Sequence, residues 1–438
     1  MYTFSSKLKT FSLVLMLLGL VGIGIGFMSA PKTIEEVETI LSESHAHGHH
    51  DHAVAHADHA DAKHSDAEHK EHLEHVLHQL QNKPWAAFYV ACIFFLLLSV
   101  GVMAFYAIQY AAQAGWSPIL FRVMEGITAY MLPGSIIFFI VLVLSAMHMN
   151  HLFVWMDADV VANDTLIQGK SGYLNVTFFL IRAAIFLGLW NFFRAKMRKN
   201  SIAQDSTTDL TFYKKNFKLA ATFLVIFIIT ESIMSWDWIM SVDPHWYSTL
   251  FGWYVFASFF VSGITAIALI TLYLKSKGYL EKVNTSHIHD LAKFMFGISI
   301  FWTYLWFSQY MLIWYANIPE ETVYFKHRVQ GPYKAIFFLN LIINFLAPLL
   351  ILMKRSAKRN YTLVALMAVV IIFGHWIDFY QMVMGSLMKE HVELGLLDFG
   401  ILAFFVGVMI FFVAKALASK PLIAKYHPFL KESIIHHT

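Results

Sequence analysis

Apolar runs of about 20 residues, the length that crosses a bilayer core, recur ten times along the chain. They lie near 10–29, 85–112, 120–147, 173–193, 217–240, 249–274, 291–317, 333–353, 361–386 and 395–416. The pattern predicts ten transmembrane helices and an all-α integral membrane protein. The first run follows Lys7 and Lys9. It is longer than a signal-peptide core, and Met28-Ser29-Ala30 is a poor cleavage site, so it reads as a retained helix.

Counting Lys and Arg in alternate connections orients the helices. With residue 1 in the cytoplasm, 22 cations fall inside, nine fall in outer loops, and Arg182 lies within a span. That asymmetry predicts both termini on the cytoplasmic side. Composition agrees: 58% of the 438 residues are hydrophobic and only 14% charged, against about 25% charged in soluble proteins. A net charge of +3, with cations at helix ends, argues against a nucleic-acid partner. The single cysteine, Cys92, excludes intrachain disulfides, thiolate-held clusters and covalent c-type haem. No covalently bound cofactor is expected. Lipids are the obligatory partners of such a chain.

The largest extramembrane part, the outer loop 30–84, carries 12 of the 23 histidines between His45 and His78. A tract of this kind is compositionally a metal binder, for zinc, copper or nickel, and His45, His47, His49, His50 and His52 are its candidate ligands. The competing reading is a solvated loop that takes up metal adventitiously, since no spacing repeats as a defined ligand set. Its end, 67–81, has helix-forming composition.

Ionisable groups within spans are functional candidates. At about 1.5 Å rise per residue, Arg182, Glu231, His375 and Asp378 all fall about 12–16 Å below the outer end of their helices, in one layer with Ser308 and Gln309. The expectation is one interior cluster, in which Arg182 pairs with Glu231 or Asp378. An excess of acids over cations leaves titratable capacity there; the structural alternative is a set of interhelical locks. His375 and Asp378, three apart, share a helix face. Asp237, Asp243 and His245, among the aromatics of the turn from Ser235 to Tyr254, form a polar mouth above. Tyr304, Ser308 and Tyr315 form a hydroxyl-bearing stripe along the seventh span. On the inner side, Arg122 and Glu125 begin the third span, and Asn340 with Asn344 share a face of the eighth. These are proton-entry candidates, or else ordinary solvated helix ends.

Ser235-x-Asp237, the turn Pro244-His245-Trp246-Tyr247-Ser248-Thr249, and the stretch from Trp306-Phe307-Ser308-Gln309 to Glu321 resemble the polysulfide-reductase (NrfD-like) membrane subunits. The resemblance is greatest to the smaller of the two such subunits of alternative complex III, a bacterial quinol:cytochrome c oxidoreductase. It spans all ten helices and leaves out the histidine loop. It implies two four-helix bundles, here 85–240 and 241–386, flanked by the first helix (1–29) and by the last helix with its cytoplasmic tail (387–438). It further implies a haem-free, cluster-free subunit, not catalytic alone, that binds quinone (menaquinone or ubiquinone), conducts protons, or both. The implied partners are a larger NrfD-like sister, a periplasmic iron–sulfur subunit, c-type haem subunits and a terminal oxidase. Arg182, Glu231, Asp237, His245, Tyr304, Ser308, His375 and Asp378 are then the quinone or proton-pathway candidates.

Three rivals compete. A haem-bearing cytochrome b needs facing histidines at one depth, and only His375 is deep in a span. A secondary transporter for metal would use the histidine loop and paired ligands at broken helices. A structural anchor would hold neither a quinone nor a proton site.

Overall fold

The computed structural model describes residues 1–39, 62–389 and 394–438. Ten of its helices are long and apolar enough to cross a membrane, and no strand occurs among the described residues. Numbered in chain order, they are α1 (Ser6–Met28), α2 (Val76–Ala111), α3 (Pro118–Ala146), α4 (Val176–Gln204), α5 (Thr211–Val242), α6 (Phe251–Ser276), α7 (Thr285–Ala316), α8 (Lys334–Ile351), α9 (Tyr361–Leu387) and α10 (Leu396–Ala418). Each corresponds to one apolar run of the sequence. The candidate ligands His45, His47, His49, His50 and His52 lie outside the described residues.

Polar caps begin the helices where the apolar runs meet water. Asn175 Oδ1 accepts from Phe178 N at 2.9 Å at the start of α4, and Asn360 Oδ1 from Leu363 N at 3.1 Å at the start of α9. Asn284 forms a capping box with His287 at α7. Such caps satisfy the otherwise unpaired first N–H groups. The helices overrun the apolar pattern where a polar sequence still has helix-forming composition. The clearest case is α2, which is the membrane part of one continuous helix, Ala62–Ala111, running through Pro84. The helix anticipated at 67–81 is therefore the extension of the second span.

Helices α2 to α5 pack as one ring of four and α6 to α9 as another, with α2 against α6 and α9 at the seam. The seam is tight because it is built on glycine. A Cβ on Gly101 would lie 2.5 Å from Phe259 O, and one on Gly263 would lie 2.7 Å from Val102 N. Small residues let backbones approach where lipid supplies no hydrophobic drive between helices. Helices α1 and α10 pair with each other and lean on α2 and the start of α3. This is the two-bundle arrangement with flanking first and last helices.

The segment after α10 returns across the cation-rich ends of both bundles. Lys425 N donates to Asp205 Oδ1 at 2.9 Å, and Ser433 Oγ donates to Trp116 O at 2.6 Å. Farther along, His436 O accepts from Asn284 at 2.7 Å and Thr438 O from Arg359 at 2.9 Å. At the opposite face, the short helix Pro319–Val329 folds inward. It is clasped by the 243–250 turn, where Trp246 stacks on Tyr324 with ring centroids 4.0 Å apart.

Candidate functional site

Three separate centres hold Arg182 with Asp237, Arg122 with Glu125, and His375 with Asp378, so the single interior cluster expected from depth does not form. In the first bundle Arg182 meets Asp237, not Glu231 or Asp378. Its Nε donates to Asp237 Oδ2 at 2.6 Å and a terminal nitrogen to Oδ1 at 3.0 Å. The other terminal nitrogen donates to Tyr173 O at 3.1 Å, and the guanidinium lies 4.0 Å from the Tyr173 ring centroid. Asp237, read as part of an open mouth, is fully buried. Depth along a helix does not by itself select partners; the direction around the helix also decides which groups meet.

Glu231, one and a half turns earlier on α5, is also buried. Among the described residues its Oε2 accepts only from the Ser232 hydroxyl, at 3.3 Å, and its Oε1 has no hydrogen-bond partner. His245 stays at the surface and reaches Asp164 Oδ2 at 2.6 Å, tying the α5–α6 turn to the α3–α4 connection. The backbone N–H of Ile167, then the His245 ring, hold the Asp164 carboxyl below its ordinary value. Lys170 donates to Pro244 O at 2.5 Å beside it.

At the cation-rich end of the first bundle lies the second centre. Arg122 and Glu125 are buried at 3.2 Å, and neither is a solvated helix end. Glu125 also takes Arg198 at 3.1 Å and the Tyr106 hydroxyl at 2.8 Å, while Arg122 reaches Asp205 at 2.7 Å.

The third centre occupies the second bundle, around Asp378 on α9. Its carboxylate collects donors from three other helices: the Tyr254 hydroxyl and Ser258 Oγ (2.9 Å) on α6, Trp302 Nε1 (2.9 Å) on α7 and Asn340 Nδ2 (2.8 Å) on α8. Ser258 Oγ also lies 2.9 Å from His375 Nδ1, and His375 Nε2 has no partner among the described residues. Asn344 extends the chain, donating to Asn340 Oδ1 at 2.5 Å. Asp378 and His375 are both fully buried, and among the described residues no Lys or Arg pairs with the carboxylate. Asn340 and Asn344, expected at an inner entrance, are integral to this centre. Their position follows from a π-helical turn, Ile342–Leu346, within α8.

Tyr254, Ser258 and Gln381 join the centre although no charge or spacing singles them out along the chain. Of the aromatics in the turn from Ser235 to Tyr254, Tyr247 and Trp253 point outward, whereas Trp246 and Tyr254 are buried. The hydroxyl stripe of α7 also turns away: Tyr304 is 65% and Tyr315 84% exposed, and Ser308 is half-buried. Arg328, counted as an outer-loop cation, is buried against the Tyr324 ring at 3.4 Å and bonded to the carbonyls of Tyr324 and Gln381. The sequence signal for the helix that carries it was present, though not for its burial. Pro319 at a helix start, acids in the first turn and cations in the last mark a short helix rather than a free loop.

Fold and centres together define a polytopic all-α membrane protein with charged and polar groups gathered inside both bundles. Among the described residues no group of three or more His, Cys, Asp or Glu is placed to hold a metal ion. No protein-family model matches the chain, and no curated protein matches it either.

Proposed function

We propose that this chain is a haem-free and cluster-free membrane subunit of a bacterial respiratory quinol:cytochrome c oxidoreductase of the alternative-complex-III type, with its first and last residues in the cytoplasm. In that complex it works beside a larger NrfD-like sister, a periplasmic iron–sulfur subunit and c-type haem subunits, and contributes a proton pathway and quinone binding. One observation carries the reading: a fully buried carboxylate, Asp378, held by four neutral donors and adjoining a buried imidazole, with no Lys or Arg among the described residues to fix its charge. Were Asp378 only a helix lock, a paired cation like that of Asp237 would serve it better. Neutral donors tolerate both protonation states, because hydroxyls rotate and can accept as well as donate.

In this reading Asp378 and His375, joined through Ser258 Oγ, are the pair that takes up and releases a proton. Asn340 and Asn344 orient the carboxylate. Tagging the chain in its native membranes should bring down c-type haem and iron–sulfur subunits. In that assembly Asp378→Asn should preserve haem content and lower proton release per electron. Recovery of the chain without any haem-bearing partner, or unchanged proton release in the variant, counts against the assignment.

A further inference from the structure

Beyond Asp378, toward the face bearing Pro319–Val329, three buried nitrogens have no acceptor among the described residues: Gln309 Nε2 on α7, Gln381 Nε2 on α9 and Arg328 Nε. All three side chains are at most 4% exposed and line one chamber with Tyr254, Trp306 and Phe337. The free space is about 10 Å³, room for a single water. The Gln381 amide is oriented by its neighbours: Asn340 Nδ2 donates both to Asp378 Oδ1 at 2.8 Å and to Gln381 Oε1 at 3.2 Å, which turns Gln381 Nε2 toward the chamber. Arg328 bonds to carbonyls and the Ser386 hydroxyl, and no carboxylate pairs with it among the described residues. The site thus offers donors, one of them cationic, and asks for an acceptor.

Trp306 and Phe337, ring centroids 5.0 Å apart, also form the floor of a groove between α7 and α8. This groove has a volume of about 510 Å³, opens sideways, and is walled by Tyr304, Phe307, Phe338, Leu341 and Phe345. We propose that chamber and groove are one binding site for a lipid-soluble molecule with a planar, carbonyl-bearing ring and an apolar tail. The ring lies in the groove against Trp306 and Phe337. Trp306 and Phe337 divide the groove from the chamber, and on binding their rings part to let one carbonyl oxygen reach the three donors in place of the water, while the tail leaves along Leu341 and Phe345. Aromatic walls favour a flat ring over an ester headgroup, and lateral opening suits a ligand that arrives from the bilayer. The proposal rests on the quinone-linked reading above and gives it a location, in the second bundle one hydrogen-bond step from Asp378.

The test uses the full assembly in nanodiscs and an azido-substituted, short-tailed quinone as photolabel. Adducts are expected on residues 303–310 or 337–341. Gln309→Leu and Gln381→Leu should each lower labelling about fivefold, as for loss of one buried hydrogen bond. Leu341→Trp, which narrows the groove without touching a donor, should lower it too, and covers the case in which a glutamine variant does not assemble. An assembly that keeps its haem and turnover but yields no adduct in these two stretches overturns the site and leaves the function standing. A chain isolated without haem partners that still labels there overturns the function and leaves the site. Labelling by a photoreactive phosphatidylglycerol in preference to the quinone, or one ordered water among the donors at saturating quinone, also overturns the site.

Discussion

The Arg182–Asp237 pair puts two charges where neither could remain alone. Two parallel hydrogen bonds and the Tyr173 ring leave the guanidinium well satisfied. Removing one partner strands the other, at a cost of about 3–5 kcal/mol. Arg182→Leu is therefore expected to lower the thermal midpoint in detergent and the yield of folded protein. The double variant Arg182→Leu with Asp237→Leu should recover most of both, and a double variant as unstable as the single one would refute the coupling. None of this pairing was readable in advance. The sequence fixes depth, but Arg182 could have faced Glu231 as readily as Asp237 until the azimuths of α4 and α5 were set by packing. Arg328 was hidden for a related reason: a loop cation and a buried one look alike until the short helix carrying it docks.

At the scale of elements, α1 depends on α10. A Cβ on Gly19 would lie 2.5 Å from Phe404 Cβ, and one on Gly407 would lie 2.7 Å from Ser12 O, so the two helices touch through their backbones. The rest of α1 is largely exposed Leu, Val and Ile suited to lipid. Gly19→Leu should overpack this contact by about 1–3 kcal/mol and release α1, seen as faster proteolysis near residue 30. Unchanged proteolysis would show that the pair tolerates separation. The segment after α10 carries a second element-scale consequence. His427 packs among Tyr110, Phe121 and Tyr213, and burial pushes its imidazole down to about 4. A base whose value is depressed on folding stabilises the fold in its neutral form. That contribution is complete above the ordinary value near 6.5 and is lost as pH falls toward 4, for about 3 kcal/mol in all. Protection factors against hydrogen exchange in residues 420–438, corrected for the intrinsic rate at each pH, should fall between pH 7 and pH 4.5, and His427→Phe should remove that fall. An equal fall in that variant would place the cause elsewhere.

For the whole molecule, ten crossings put the connections on alternating faces. In a Cys92→Ala background, Thr208→Cys and Ser276→Cys should react with an impermeant maleimide from one side, and Asp159→Cys and Tyr247→Cys from the other. Thr208→Cys and Tyr247→Cys reacting from the same side would break the topology. The spans were legible because a run of about 20 apolar residues admits few other structures. The bundle partition was reached through resemblance, since hydropathy gives no neighbour relations. Seam contacts such as Gly101 against Phe259 depend on backbones meeting, and a single sequence records the glycine without its partner.

The π-helical turn at Ile342–Leu346 is a place where α8 holds one residue more than its length as a regular helix would need. Pro348 follows and cannot donate to the preceding turn. The surplus residue shifts the phase of everything after it. Residues 334–341 keep one angular setting, residues 347–351 another, and Asn344 swings under Gly374, where a Cβ would lie 2.2 Å from its Oδ1. Counting along α8 is thus discontinuous. Removing Ile342 would restore an even helical phase and place Asn344 three residues after Asn340, still on a neighbouring face. Such a deletion changes the length of α8 by one residue and leaves its hydropathy almost untouched, yet it would take Asn344 out from under Gly374.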